Sequence, residues 1–247
     1  MKIKQHLPSI FTLINLFLGF LAIINTMAGD YVIACYIILA AGAFDSVDGK
    51  IARLIGISTN FGKEIDSLAD MVSFCLAPSI LVYSLYTQNM PGISGELIAS
   101  APLIMGAIRL ARFNTDITSE NPAYFTGLPT PMNALSIASL VLFIEYFKID
   151  NPEYSQPRLL LPLILSLSYL MVSRVHYAKF PIINFNSGKQ NSLRLLGVAL
   201  FAVTFIGAIF IGYPYRVLAG FVSFYLLTGI WNHLKNLGNV ESKNQES

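Results

Sequence analysis

The sequence predicts an all-α integral membrane protein with about eight transmembrane helices. Of the 247 residues, 54% are hydrophobic and only 12% are charged, whereas a soluble domain carries roughly 25% charged residues. Apolar stretches long enough to span a hydrocarbon core of about 30 Å recur along the chain. They lie at about residues 8–28, 31–55, 65–88, 95–114, 131–148, 157–176, 193–212 and 215–233.

The basic residues orient these helices. If the N-terminus is cytoplasmic, only Lys148, Arg158 and Arg216 of the 16 lysines and arginines lie outside. Such an excess is typical of cytoplasmic loops, and an even number of helices returns the C-terminus to the cytoplasm. We expect one membrane-embedded domain over residues 1–233 and a polar, disordered cytoplasmic tail over 234–247. The net charge of +2 gives no reason to expect nucleic acid as a partner.

Four of the seven aspartates fall in one short stretch at the junction of the second and third predicted helices. Asp45 and Asp48 are three residues apart near the end of the second helix, and Asp66 and Asp70 are four apart at the start of the third. Residues at these separations share a helix face. A turn between the two helices would bring both acidic faces together, so the sequence predicts a pocket of carboxylates.

This pocket requires positive charge. A charged residue at the centre of a membrane helix costs about 2.5–3.5 kcal/mol on insertion scales. Two carboxylates about 4 Å apart repel by roughly 4 kcal/mol at an effective dielectric near 20. Ligands that are all oxygen, with no His or Cys nearby, select hard cations such as Mg²⁺, Mn²⁺ or Ca²⁺ over zinc. Four carboxylates could hold two such ions.

The residues between the aspartates favour a phosphate ligand. Gly49 and Ala52 leave room for close approach, and Gly62, just before the third predicted helix, fits a sharp turn. Arg53 offers a guanidinium fork suited to phosphate oxygens. A P-loop is excluded because Phe44 stands where that motif needs Gly. Any phosphate must therefore be held by metal ions and arginines.

The complete pattern, D-x2-D-G-x2-A-R-x8-G-x3-D-x3-D, begins at Asp45 and ends at Asp70. It resembles the signature of the CDP-alcohol phosphotransferase family. The resemblance implies a six-helix membrane core, commonly a homodimer, with a dinuclear metal site, Mg²⁺ or Mn²⁺, that opens to the cytoplasm. In that family a CDP-linked donor transfers a phosphoryl group to an alcohol and releases CMP. The implied metal ligands are Asp45, Asp48, Asp66 and Asp70, and the residues lining the CDP site are Gly49, Ala52, Arg53 and Gly62.

Asp70 is also the candidate general base that this resemblance implies. Phosphoryl transfer depends mainly on positioning and charge neutralisation. A carboxylate bound to a cation has a lowered pKa and is a poor base, so Asp70 is expected to orient the attacking hydroxyl more than to deprotonate it.

Two further stretches bear on which alcohol is the acceptor. Residues 109–114 (Arg-Leu-Ala-Arg-Phe-Asn) end the fourth predicted helix, and residues 124–131 precede the fifth. By themselves, the arginines fit either a carboxylate ligand or the positive-inside rule, and the second stretch fits a rigid turn. Together with residues 7–17, they resemble the phosphatidylserine synthase branch of the family, departing at Ser9, where Asn is common. The implied donor is CDP-diacylglycerol and the implied acceptor is L-serine, bound by Arg109, Arg112 and Asn114, with Thr12 and Asn15 near the nucleotide or metal ions.

Two alternatives stay open. A sister enzyme could use glycerol phosphate, inositol or its phosphate, or an archaeal CDP-lipid donor; Arg109, Arg112 and Asn114 are the residues that discriminate. A cation transporter would explain acidic residues inside the membrane. It would not explain why Gly49 and Arg53 stand at defined positions among them. A transporter also predicts acidic residues near the bilayer midplane, whereas these aspartates lie at the predicted cytoplasmic ends of the helices. On the resemblance, which covers about residues 1–175, we expect an enzyme in a bacterial or archaeal cell (inner) membrane with its active site facing the cytoplasm.

Overall fold

The computed structural model describes residues 10–55, 60–115, 124–151, 160–178 and 189–245. Within these ranges the chain is almost entirely helical, and each helix overlaps one predicted span. The helices are α1 (Ile10–Ala28), α2 (Tyr31–Ile55), α3 (Asn60–Thr87), α4 (Ser94–Thr115), α5 (Thr130–Asp150), α6 (Leu160–Val172), α7 (Lys189–Ile211) and α8 (Pro214–Gln245).

The all-α membrane architecture is confirmed. In the described part of the chain, α1, α2, α3, α4 and α5 are long and apolar enough to cross a bilayer. Helix α6 and the Leu195–Ile211 part of α7 are shorter apolar helices. Helices suit this environment because they satisfy every backbone hydrogen bond within the segment, where no water is present to do so.

Helix α3 contains two π-helical segments, Met71–Leu76 and Tyr83–Thr87, which the sequence did not predict. The first begins directly after Asp70 and precedes Pro78. Proline has no backbone N–H to donate to the carbonyl four residues earlier, and a wider turn accommodates that break. Such π-segments often occur at functional sites because they change the direction in which the following side chains point.

Small residues bring α1 close to its neighbours. The buried residues of α1 recur at helical spacing and are all small or polar. At Gly19 the approach is closest, since a Cβ atom there would lie 2.3 Å from Ser73 Oγ on α3. Helix α1 can contact α3 at this distance only because position 19 has no side chain. The buried residues are Thr12, Asn15, Gly19, Ala22 and Thr26.

The chain divides into two compact units, and the single catalytic domain expected over residues 1–233 stays a prediction. The first consists of Met1–Ile117 and Pro129–Val172, and the second of Thr118–Leu128 and Ser173–Ser247. All four aspartates of the predicted pocket belong to the first unit. This unit contains α1 to α6, and within it α1 packs against α2 and α3, α5 against α2, and α4 against α6.

In the second unit, strand β1 (Tyr124–Thr126) pairs in antiparallel register with β2 (His176–Ala178). Tyr177 of β2 is fully buried, and its ring fits against α8 because Gly229 has no side chain to obstruct it. Burial raises the pKa of Tyr177 to about 12.

Helix α8 continues to Gln245, whereas disorder was predicted from residue 234. The lysine, glutamate and glutamine residues of this stretch have good helix propensity, which explains the longer helix.

Candidate active site

Three carboxylates from two helices converge in the first unit. Asp45 lies on α2, and Asp66 and Asp70 lie one turn apart on α3. One carboxylate oxygen from each can be chosen so that all three lie within 4.8 Å of one another. The structure therefore brings together three of the four aspartates that were predicted to form one pocket, from both helices.

These carboxylates fit a hard divalent cation. At such separations each pair of charges repels by about 3–4 kcal/mol at an effective dielectric near 20. Among the side chains that the structure describes, none donates a hydrogen bond to Asp45 or Asp66, and Asp70 receives only two long ones. The donor set is entirely oxygen, which Mg²⁺ and Mn²⁺ prefer. A bound cation would remove the repulsion and use the free oxygens.

Asp48 is oriented differently from the other three. It is buried, and its Oδ2 accepts a hydrogen bond of 2.5 Å from Thr12 Oγ1 on α1. It is not part of the group of three carboxylates. The contact uses one carboxylate oxygen and leaves Oδ1, so a role for Asp48 as a fourth ligand stays a prediction. Thr12, predicted near the nucleotide or metal ions, is thereby placed beside the acidic cluster.

Asn15 and Thr130 contact Asp70 from two sides. Asn15 Nδ2 on α1 donates to Asp70 Oδ1 at 3.5 Å, and Thr130 Oγ1 on α5 donates to Asp70 Oδ2 at 3.4 Å. Ser73, the partner of Gly19, donates to the backbone oxygen of Asn15 at 2.8 Å and fixes this part of α1. Asp70 is thus the most enclosed of the three carboxylates, held where α1, α3 and α5 meet.

Thr130 was not predicted as a site residue. The stretch Leu-Pro-Thr-Pro was interpreted as a rigid turn, and Gly127 does adopt a positive φ of 75° there. The turn ends at Pro129, and α5 begins with Thr130, so the threonine lies on the first turn of a helix. The sequence does show a threonine directly after a turn, at the start of a membrane helix. No neighbouring residue, however, indicates a contact with an aspartate sixty residues earlier.

The three predicted serine ligands differ in burial and in their described contacts, and their role in binding serine stays a prediction. Arg112 Nη1 donates to the backbone oxygen of Val172 at 3.3 Å. Asn114 exchanges hydrogen bonds with Ser67 on α3. Only Arg109 is buried, at 7% exposure.

Arg109 lies on the helix, α4, that packs against the segment of α3 following Asp70. Gly106, one turn earlier on α4, packs against Cys75, since a Cβ there would meet Cys75 Sγ at 2.3 Å. Helices α3 and α4 follow each other along the chain and run in opposite directions, so a turn forward on α4 corresponds to a turn backward on α3. That step leads from Cys75 toward Asp70. Of the three predicted ligands, Arg109 is the buried one, and its role in binding serine stays a prediction.

The predicted CDP-binding residues have mixed outcomes. A Cβ at Gly49 would meet no atom within 4 Å, so space is open beside it for a ligand. Helix α2 includes Ala52 and Arg53, but their side chains lie outside the described residues. The prediction of a turn at Gly62 is wrong, because α3 already begins at Asn60 and Gly62 is helical. Helix formers such as Lys63 and Glu64 extend the helix backward over this glycine.

The sequence of this chain matches the model of the CDP-alcohol phosphatidyltransferases over residues 5–178. The chain belongs to this family. The matched range contains all four aspartates of the signature and the residues that contact them. The resemblance stated from the signature is confirmed.

Curated relatives are similar over most of the chain. One from Helicobacter pylori (strain ATCC 700392 / 26695), a CDP-diacylglycerol–serine O-phosphatidyltransferase, is 33% identical over 223 residues, or 90% of this chain and 89% of the relative. One of the same name from Bacillus subtilis (strain 168) is 34% identical over 190 residues, 76% of this chain and 99% of the relative. An archaetidylserine synthase from Methanothermobacter thermautotrophicus is 33% identical over 177 residues, 70% of each chain.

Proposed function

We propose that this membrane enzyme transfers the phosphatidyl group of CDP-diacylglycerol to the hydroxyl of L-serine, giving phosphatidylserine and CMP. The observation that carries the reaction class is the convergence of Asp45, Asp66 and Asp70 within the family signature. The choice of serine rests on relatives with that acceptor in their names at 33–34% identity over most of the chain.

The carboxylates would hold two divalent ions, Mg²⁺ or Mn²⁺. Asp45, Asp66 and Asp70 are the main ligands, and Asp48 can join through the oxygen that Thr12 leaves free. When bound, the ions neutralise the diphosphate of the donor and the charge that develops during transfer. Two observations support this role. The three carboxylates lie close together, and no described side chain donates a hydrogen bond to Asp45 or Asp66.

Around that centre, the residues of the chain position the two substrates. The serine oxygen forms a bond to the phosphorus of the phosphatidyl group while the bond from that phosphorus to CMP breaks, and CMP leaves with the electron pair. Asp70, held by Asn15 and Thr130, orients the serine hydroxyl and receives its proton. Arg109 is the best-placed partner for the serine carboxylate. Residues assigned to the nucleotide are Thr12, Asn15, Gly49, Ala52, Arg53 and Gly62; Arg112 and Asn114 complete the serine group as first predicted.

The site is proposed to face the cytoplasm of a bacterial or archaeal cell, in the inner or sole cell membrane. Asp48 near the end of α2 and Asp66 near the start of α3 lie toward the helix ends that the basic residues assign to that side. There a water-soluble amino acid can meet a donor that stays in the lipid. A homodimer belongs to the same proposal and is supported by the family resemblance.

The acceptor is tested by competition among alcohols. We expect purified protein, supplied with CDP-diacylglycerol and Mg²⁺ or Mn²⁺, to release CMP chiefly with L-serine. Glycerol phosphate, inositol and inositol phosphate are the matched alternatives, and CMP release is measured by chromatography. Release that depends on one of these instead would overturn serine while keeping the reaction class. An archaeal CDP-lipid offered in parallel tests the donor, since one relative is an archaetidylserine synthase.

Metal removal tests the role of the acidic cluster. Dialysis against EDTA is expected to reduce CMP release to background, and Mg²⁺ or Mn²⁺ to restore it, because the carboxylates cannot hold an anionic diphosphate unaided. The same ions should raise the melting temperature, since ligands that bind only the folded state stabilise it. In Asp45→Asn this thermal shift should shrink. Full activity after chelation would contradict a metal-dependent reaction, whereas ion binding without any CMP release would favour the cation transporter.

A further inference from the structure

We propose that Asn133, together with the side-chain oxygen of Asn15, binds the ammonium group of the acceptor amino acid beneath Asp70. This assignment rests on the proposed function, whose acceptor is an amino acid. It adds a specificity determinant that the signature does not contain, since Asn133 lies on α5, outside the aspartate motif and outside the predicted serine group.

Asn133 is a fully buried polar residue on α5. Its exposure is 0%, and neither Nδ2 nor Oδ1 has a hydrogen-bond partner in the part of the chain that the structure describes. Its neighbours Met132 and Ala134 are buried apolar residues. Buried side-chain amides in folded proteins are nearly always paired, because an unpaired one loses its hydrogen bonds to water without replacement. Both ends of the Asn133 amide are therefore available to a ligand.

The contact of Thr130 with Asp70 shows where Asn133 lies relative to the carboxylates. The two are three residues apart and share a face of α5, and Thr130 donates to Asp70. Asn133 lies about 4.5 Å further along the helix axis, given a rise of about 1.5 Å per residue. It is therefore one turn deeper than the layer of Asp70, on the side of α5 that faces the carboxylates.

Asn15 adds a second free oxygen at the level of Asp70. Its Nδ2 faces Asp70 Oδ1, and its Oδ1 is buried with no partner among the described residues. A carboxylate only accepts hydrogen bonds, so the amide nitrogen must be the end that faces Asp70. The oxygen is then turned away from Asp70 and is free to accept.

The unpartnered atoms match an ammonium group beside a hydroxyl. Asn15 Oδ1 and Asn133 Oδ1 are two acceptors, and an ammonium has three N–H donors. Asn133 Nδ2 can donate to an oxygen of the same ligand. In serine the amino group is one carbon away from the carbon that bears the hydroxyl, so a hydroxyl at Asp70 keeps the ammonium within one helical turn. A phosphorylated alcohol offers no cationic donor here and places further negative charge beside Asp70, so it fits less well.

The test compares serine with its analogue that lacks the amino group, 3-hydroxypropanoate. The full chain is assayed with CDP-diacylglycerol and Mg²⁺ or Mn²⁺, and kcat and KM are measured for each acceptor. Asn133→Leu has similar volume and no polar atoms, and it should raise the KM for serine at least about 10-fold. The KM for CDP-diacylglycerol should stay within about 2-fold, and the preference for serine over 3-hydroxypropanoate should fall by a similar factor of about ten.

Two variants make the result specific. Ser136→Ala on the same helix is the matched control, because Ser136 is buried but already donates to the backbone oxygen of Met132; it should leave the preference unchanged. Asn133→Asp retains two acceptor oxygens and should keep most of the preference for serine. If Asn133→Leu does not fold, Asn133→Ala takes its place, and the same loss of preference is expected because alanine has no acceptor oxygen.

The outcomes separate this inference from the proposed function. If the wild type uses serine but Asn133→Leu keeps its preference over 3-hydroxypropanoate, or loses both substrates equally, the ammonium site is wrong and the proposed function stands. If the wild type uses an alcohol without an amino group, the proposed function fails, and the ammonium site fails with it. Loss of the preference in Asn133→Leu alone supports the site.

Discussion

Replacing Asp70 by asparagine is expected to lower CMP release by about 10²–10⁴-fold or more, the range that general acid–base groups contribute. Asp70 belongs to the group of three carboxylates and is contacted by Asn15 and Thr130. Asparagine keeps the shape of the side chain but removes its charge. It can neither serve as an anionic metal ligand nor accept the proton of the attacking hydroxyl.

The same substitution should not destabilise the fold in the absence of metal ions. Removal of one charge abolishes two close repulsions, with Asp45 and with Asp66, of about 3–4 kcal/mol each at an effective dielectric near 20. A variant that is inactive yet melts no lower than the wild type without metal, and gains less on addition of Mg²⁺, is the expected result. Thermal unfolding with and without Mg²⁺ measures it, beside the CMP assay.

Asp30→Asn is the matched control. Asp30 is exposed and precedes α2 by one residue, about 20 Å along the helix from Asp45. It should keep wild-type turnover and the full thermal response to Mg²⁺. Near-normal turnover in Asp70→Asn would reject the catalytic role of this carboxylate, whatever the behaviour of the control.

The sequence predicted the features that depend on local pattern. Hydropathy over about twenty residues located the helices, because a membrane span is defined by its length and apolar surface. Spacings of three and four predicted which aspartates share a face, and the opposition of α2 and α3 followed from the short connection between them. The convergence of Asp45 with Asp66 and Asp70 could thus be predicted without any knowledge of packing.

Features that depend on packing between distant segments could not be predicted. Thr130 joins the site because α5 packs beside α3, although Thr130 is sixty residues from Asp70 in sequence. Asp48 turns to Thr12 because α1 brings a hydroxyl within reach, and nothing in the aspartate motif encodes that contact. The π-segment after Asp70 and the helical placement of Gly62 likewise reflect how α3 fits its neighbours, and residue spacing alone assumes a regular helix.

Gly19→Ala is expected to reduce turnover strongly although position 19 has no functional group. The new Cβ would lie 2.3 Å from Ser73 Oγ and 2.7 Å from Ser73 Cα. Carbon atoms in contact stand about 3.5–4.0 Å apart, so α1 and α3 must separate by roughly 1 Å. Helix α1 carries Asn15, which contacts Asp70. A displacement of about 1 Å at a reacting centre can reduce turnover by about 10²-fold, which we expect here.

Gly42→Ala on α2 is the control that isolates this contact. Its Cβ would lie 3.8 Å from the nearest atom, Phe74 Cε1, which is an ordinary contact. Alanine is also the better helix former by about 0.5–1 kcal/mol. Gly42→Ala should therefore keep both turnover and melting temperature, whereas Gly19→Ala loses turnover; equal activity of the two variants would show that the approach of α1 to α3 does not position the site.

A double variant distinguishes a side-chain clash from a backbone clash. Ser73→Ala removes the Oγ that meets the new Cβ, but the Cα of residue 73 remains at 2.7 Å. It also removes the hydrogen bond to the Asn15 backbone oxygen. Gly19→Ala/Ser73→Ala should thus stay as impaired as Gly19→Ala. Recovery of turnover in the double variant would mean that the Ser73 side chain, and not the distance between the two helix backbones, limits the placement of Asn15 beside Asp70.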